Sequence, residues 1–493
     1  MRNKILFFFT LLCVSVVFAQ KKPARAFPYS LSLEGTQKPY QIIEDIGAWN
    51  DSDAERYTKE GLVLTTTKGD NSAFALDEIP FTSNDGVVVE FEYAMYGGDK
   101  YNGGYGDGMS FFIYDESKKF SIGSHGAGLG YTYRESDSQY PSYRAPGLDG
   151  AYLGVGLDIY GGFNKRDSAI NEKREGLPAS DQLVNWGKRS VSIRGGMHEN
   201  NRYKGYPVLF STTRSFGISP SKSDTTEAEL DLTTGNYKTS YSSRYNDFDV
   251  RGGDSDYPYF QKFTITILPK GNDGSLVTIY FNRWLVVDRF FYPNEFKTLD
   301  KDGKLYTFKT KFPKSFKIGF AGSCGSASQV QIVKNVTVSL PFGPQTYDTD
   351  ISYCSDASEG AITFDPLDYA RFYIGTIDNP DYGDSDKYID KNSFRFEDEY
   401  GYPLSNPHEY TEPGVGTWKY NASTREVTFT PASKDIDEGE YIIYYSAKSV
   451  GGVNSPFGSE NYRSRPTPIK LTVEHCEKKV TINPNLPIKV RKR

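Results

Sequence analysis

Gly106-Asp107-Gly108-Met109-Ser110-Phe111-Phe112-Ile113 places one acidic residue at the mouth of an apolar run. Tyr152-Leu153-Gly154-Val155-Gly156-Leu157-Asp158-Ile159-Tyr160 places another at the far end of its run, and Asn164 follows shortly after. Both runs are short, bounded by glycine, and rich in aromatic and branched side chains. They read as strands with a carboxylate at the edge. Between them lies Gly126-Ala127-Gly128-Leu129-Gly130, a loop whose glycines bare backbone amides.

Strand signals continue outward from this pair. Val87, Val89, Phe91, Tyr93 and Met95 alternate with Glu90, Glu92 and Ala94, which predicts one buried and one wet face. Phe263, Ile265 and Ile267 alternate with Thr264 and Thr266. Val277, Ile279 and Phe281 lead to Trp284, and Ser190 to Arg194 is a further strand. Val330, Ile332, Val336, Val338 and Leu340 share a parity and predict a single buried row. Asn84-Asp85-Gly86 and Asn272-Asp273-Gly274 are turn signals. Helical periodicity is absent. The segment from Ser211 to Asp256 is polar and reads as long loops or an insertion at a rim.

The chain of 493 residues is too long for one core, so two units are predicted. Leu340-Pro341-Phe342-Gly343-Pro344 marks the boundary. The first unit spans 28–342 and the second 345–477, with a basic tail at 478–493. In the second, Glu426-Val427-Thr428-Phe429-Thr430, Tyr441-Ile442-Ile443-Tyr444-Tyr445 and Ile469-Lys470-Leu471-Thr472-Val473 read as strands of a small Ig-like sandwich, with Trp418 in its core. The strand runs and polar turns imply an all-β fold, a large antiparallel sandwich followed by a smaller one.

Residues 1–19 read as an export signal: Arg2 and Lys4, an apolar run from Ile5 to Phe18, then Val17-Phe18-Ala19. The predicted location is outside the cytoplasm, secreted or at the cell surface. The apolar run is short for a membrane span, and no later segment is long enough. Losing Arg2 and Lys4 takes 57 basic residues to 55 against 63 acidic ones, a net charge of −8. That balance argues against nucleic acid as a partner. Cys324, Cys354 and Cys476 remain, and an oxidising compartment favours one pair. Cys354 with Cys476 and Cys324 with Cys354 are both open.

Asp107-Gly108-Met109-Ser110-Phe111-Phe112, Gly128-Leu129-Gly130-Tyr131 and Gly150-Ala151-Tyr152-Leu153-Gly154-Val155-Gly156-Leu157-Asp158 together resemble the L-type, legume-lectin-like domain in its bacterial form. Ser190-Val191-Ser192-Ile193-Arg194-Gly195 is similar to a middle strand of that family, and Lys317-Ile318-Gly319-Phe320-Ala321-Gly322 to a closing one. The resemblance covers roughly residues 30 to 342. It implies a concanavalin-like jelly roll that binds glycans or polysaccharide, without catalysis, at loops beside calcium. Asp107 would accept hydrogen bonds from sugar hydroxyls, often after a cis peptide in this family. Gly126 or Gly128 would donate a backbone N–H. Asp158 would hold calcium, Asn164 would touch both calcium and sugar, and Asp167 would be a further calcium ligand. Plant members carry a glutamate two residues before the metal aspartate; Gly156 stands there, which argues against manganese. Gly416-Thr417-Trp418-Lys419-Tyr420 with Glu426 to Pro431 resembles adhesin-like repeats of bacterial surface proteins. The leader and two-unit layout resemble Bacteroidota-type secreted proteins.

Two other functions are weighed. A surface adhesin on this fold would bind cell-surface proteins and lack a sugar site. A glycoside hydrolase would need alternating carboxylates on one strand face, and no E-x-D-x-E run exists. Glu227-Ala228-Glu229-Leu230-Asp231 comes nearest but lies in the polar segment and has the wrong order. The histidines His125, His198, His408 and His475 are scattered, without zinc spacing.

Overall fold

The structure is a computed structural model. It describes residues 29–475 apart from 48–53, 84–85, 137–140, 168–171, 179–188, 215–224, 243–248, 271, 283, 342–343, 345, 356–359, 374–381, 399–400, 402, 435, 451–462 and 465. The export-signal, Cys476 and basic-tail readings therefore lie outside the described residues, as does the Asn84-Asp85 turn.

Alternation builds the first sheet as expected. Val87, Val89, Phe91 and Tyr93 are buried while Glu90 and Glu92 are not, and Phe263, Ile265 and Ile267 are buried opposite Thr264 and Thr266. Val87–Tyr96 pairs with Gln261–Lys270 on one side and Val330–Ser339 on the other, within an eight-stranded antiparallel sheet. The second sheet has ten strands. Its centre runs Ser190–Gly195, Ala151–Asp158, Gly108–Asp115, Ser315–Ser323, Asn71–Leu76. The two sheets close on one apolar core. Phe91 of the first sheet lies 5.9 Å from Phe111 and 4.9 Å from Phe320 of the second, ring centre to ring centre. The all-β antiparallel sandwich read from the strand runs, and the jelly roll implied by the resemblance, are the architecture observed.

The outer face of the ten-stranded sheet carries a second aromatic layer, which positions the loops. Met109, Phe111 and Ile113 point into the main core; Phe112 and Tyr114 join the outer layer with Tyr131, Tyr133, Phe163 and Tyr206. The Leu153-Gly154-Val155-Gly156-Leu157 pattern has the same cause. Its large residues face inward, and its glycines lie under rings. A Cβ at Gly154 would come 2.6 Å from the Tyr131 ring, and one at Gly156 would come 2.3 Å from that of Phe163. Phe163 is fully buried, which stabilises its loop by about 1.5–3 kcal/mol.

Two readings are corrected. The Ser211–Asp256 segment is not only loop. Val208–Arg214, Thr225–Leu230 and Tyr237–Ser242 extend the ten-stranded sheet to its edge. Tyr237–Ser242 is the edge strand, and its neighbour Thr225–Leu230 is mostly polar, with Ala228 and Leu230 as its buried apolar positions. The single parity for Val330 to Leu340 is also wrong. Asn335 adopts φ 52° and the register with Val87–Tyr96 shifts between Lys334 and Thr337. This irregularity turns Val333, Val336 and Val338 into the core in place of one uniform row.

Beyond the first sandwich, two four-stranded sheets enclose a separate core that includes Trp418, Phe429, Phe396, Tyr445 and Leu471. Trp418 is 1% exposed and packs 4.6 Å from Phe429, so it is core, as expected. Thr349–Cys354 pairs in parallel with Thr467–Glu474, joining the first and last strands of this set. Cys354 is disulfide-bonded, whereas Cys324 is a buried free thiol. The Cys324–Cys354 pairing is thereby excluded, and the partner of Cys354 lies outside the described residues.

Candidate functional site

Three strand ends meet at one edge of the ten-stranded sheet. Gly108 is in register with Asp158 on one side and with Ser323 on the other. Asp107, just before Gly108, follows a cis peptide bond from Gly106. Its N–H donates to Ser323 O at 2.9 Å, and its carbonyl accepts from Ile159 and Tyr160 at 2.8 and 3.1 Å. The glycine-rich loop docks on the same point: Gly126 N–H donates to Ser323 Oγ at 2.6 Å. Asp107, Asp158 and the glycine loop are therefore brought together, although more than thirty residues separate Gly126 from Asp158 in the chain and almost two hundred separate it from Ser323.

The Asp107 side chain is 7% exposed, and its Oδ2 is buried with no hydrogen-bond partner among the described residues. Gly325 and Gly126 flank that oxygen. A Cβ at Gly325 would stand 2.8 Å from it, too close to fit, whereas one at Gly126 would stand 3.9 Å away in ordinary contact; Gly126 is favoured there by its φ of 63°. Burial pushes the Asp107 carboxyl up to about 8, with the Asp158 and Glu172 charges adding to it and the Gly325 amide and Arg174 opposing. In the loop, Gly128 N–H lies 3.3 Å from His125 O, and Gly126 N–H is held by Ser323. Among the described residues, Ala127 N–H donates to none.

Asp158 is fully buried and folds the next loop. One carboxylate oxygen accepts from Gly161 N–H and the other from Phe163 N–H, each at 2.7 Å. Burial raises its carboxyl to about 6 despite these amides and the nearby Lys165. The loop then lays Phe163 over Gly156, where Arg194 faces the ring and donates to Phe163 O. Asn164 is drawn away from Asp107. Its Nδ2 donates to Ser211 Oγ at 3.1 Å, and Ser211 lies three strands from Gly108–Asp115. Asn164 Oδ1 is buried without a partner among the described residues. Asp167 is exposed, in a bridge with Lys173.

Beside the carboxylates lies a charge cluster that carries no sequence signature. Glu172 accepts from Arg134 Nη1 at 2.9 Å and from Arg174 Nη2 at 3.0 Å. The Arg174 side chain is wholly buried. His125 Nε2 lies 3.2 Å from Arg134, and burial with that neighbour lowers the imidazole to about 4, so it is neutral at physiological pH. Only one signal could have flagged the cluster: Glu172-Lys173-Arg174-Glu175 is a dense charged run soon after Asn164, in a segment that must cover an apolar outer face.

Calcium takes six to eight oxygens at about 2.3–2.6 Å. Asp158 accepts a backbone N–H on each carboxylate oxygen, Asn164 turns its Nδ2 to Ser211 with Oδ1 left unpartnered among the described residues, and Asp167 is exposed. Among the described residues no group of three or more His, Cys, Asp or Glu side chains could hold a metal ion. The ring of Phe163 fills the space that a glutamate at position 156 would need. The residues present do not fit a calcium or a transition-metal centre.

No family model and no curated protein matches the chain. Solved structures similar to it include the Emp46p carbohydrate recognition domain in metal-free form, at 14% identity over 65% of this chain and 98% of that one, TM-score 0.33. Another is the metal-free lectin I-B4 from Griffonia simplicifolia, at 12% identity over 63% and 98%, TM-score 0.31. A third is the VIP36 exoplasmic/lumenal domain in a Ca2+/Man3GlcNAc-bound form, at 10% identity over 63% and 90%, TM-score 0.29.

Proposed function

We propose that the protein is an exported carbohydrate-binding protein whose large sandwich, 28–342, holds sugar without chemistry at the Asp107 notch. The smaller sandwich, 345–477, serves as a spacer. The observation that carries this reading is the buried, unpartnered Asp107 Oδ2 set between two glycines. A buried acceptor without a donor costs about 1–3 kcal/mol. A sugar hydroxyl can supply the donor, and Ala127 N–H stands ready in the adjacent loop for a neighbouring hydroxyl. Tyr160 packs beside Gly106, and Tyr101 is exposed; both ring faces suit sugar C–H groups.

Catalysis is not part of this reading. Acid–base pairs need a second accessible carboxyl. Asp158 is sealed with both oxygens on amides, and Glu172 is held by two arginines. Glu227 to Asp231 belongs to the edge-strand region, away from the notch.

A glycan array on the folded mature protein tests the proposal; silence against every glycan sinks it, and release of reducing ends from a polysaccharide would replace it with an enzyme. Affinity should also depend on pH. The carboxylate is the form that accepts hydroxyls, and with its pKa near 8 it is the minor form at pH 6. Apparent affinity is therefore expected to rise about tenfold per pH unit from 6 to 8 and to level off above. A flat profile by titration calorimetry would count against Asp107 as the acceptor. Gly325→Ala, which puts a methyl 2.8 Å from Oδ2, is expected to cost at least about tenfold in affinity with little loss of stability.

A further inference from the structure

We propose that this sugar site works without a metal ion, because the chain's own cations and backbone amides do the structural task that a divalent cation would do. The inference rests on the sugar-site reading for what the notch binds, and on the loops alone for how the notch is held.

The argument begins with charge. Asp107, Asp158 and Glu172 form the acidic side of the cluster, and each acts on the electrostatics of Asp107. Arg134 and Arg174 bond the two oxygens of Glu172, and Lys165 faces Asp158. Arg134, Arg174 and Lys165 thus already stand among these acids inside the fold. A divalent cation would add two positive charges to a largely buried cluster that already holds three basic side chains.

Mechanics give the same answer. A metal fixes loops by gathering oxygens from several of them. Here Asp158 gathers amides instead, pinning Gly161 and Phe163. Arg194 gathers carbonyls, those of Phe163, Glu175 and Tyr206, from three separate segments. Glu172, bonded to Arg174 two residues on, ties their shared segment to Arg134. A guanidinium does from the donor side what a cation does for oxygens, with its geometry set by the side chain. The Asp107 carbonyl is held by Ile159 and Tyr160, so pinning that loop also pins the notch.

The test uses the mature full-length protein after exhaustive chelation. Titration with calcium, manganese or potassium chloride alone should give no saturable heat. The melting temperature should not differ between chelator and excess calcium, and any glycan hit should be retained in chelator. Saturable calcium binding with a chelator-reversible rise in melting temperature overturns the proposal. Arg174→Met should lower the melting temperature by several degrees and weaken glycan binding by about tenfold or more. Should that variant fail to fold, Arg134→Met, on the other Glu172 oxygen, carries the same expectation; parent-like behaviour of the folded variant overturns the proposal. The metal titration needs no sugar. A protein silent to metals and to every glycan therefore sinks the sugar reading and leaves the metal-free assembly, whereas calcium-dependent glycan binding does the reverse.

Discussion

Asp107→Asn is expected to reduce glycan affinity by about a hundredfold, some 2.7 kcal/mol, while leaving the protein as stable as the parent or more so at neutral pH. The two halves of that result come from one atom. Oδ2 is buried without a partner, so folding takes a carboxylate out of water and gives it too little in return. Between its unfolded value of 3.8 and about 8, the unfolded chain has released the proton and the folded chain still holds it. Each unit of rising pH in that window lowers stability by up to about 1.4 kcal/mol, and the loss ends above about 8. The parent is thus favoured by acid within this range. The asparagine variant lacks that slope, although Asp158, raised to about 6, and Glu175, raised by burial to about 8, keep theirs. Thermal melts of both proteins from pH 4 to 8 should therefore diverge, the variant gaining on the parent as pH rises. A variant that melts several degrees below the parent at neutral pH would show that the carboxylate is a structural acceptor. Unchanged affinity would show that it is not the ligand's.

The strands that carry Asp107 and Asp158 were legible because their cause is local. Inward Phe111, Val155 and Leu157 alternate with residues of the outer face, and glycine-flanked runs mark where each strand stops. What the sequence hid is what depends on distant neighbours. Ser323 and Gly325 shape the notch as strongly as the glycine loop does, yet nothing in Ser323-Cys324-Gly325 announces a site; strand pairing alone delivers it beside Gly108. Asn335 breaks a perfect alternation with one left-handed residue, which a parity count cannot see. The Thr225–Leu230 strand looks like loop because, one strand in from the sheet edge, it buries only Ala228 and Leu230 as apolar residues. The expected role of Asn164 met the same difficulty. The loop before it folds around Asp158 and sends the amide nitrogen toward Ser211.

Gly156→Glu is expected to cost about 3–5 kcal/mol and to find no rescue in manganese or calcium. The Cβ alone would stand 2.3 Å from the Phe163 ring, well inside contact distance, and the carboxylate would then be pressed into an aromatic layer. Phe163 cannot simply swing aside. Its N–H is held by Asp158, its carbonyl by Arg194, and its ring lies 6.5 Å from Tyr131 within the packed outer face. Gly156→Ala should show the same clash in milder form, about 1–3 kcal/mol. A double-mutant cycle separates steric conflict from the intrinsic cost of losing a glycine. In a Phe163→Ala background the ring is gone, and Gly156→Ala should become nearly neutral, giving a coupling energy of about 1–2 kcal/mol by denaturant titration. Full additivity would mean that the ring and the glycine are not in conflict. The reason for Gly156 would then lie in the backbone and not in the ring above it.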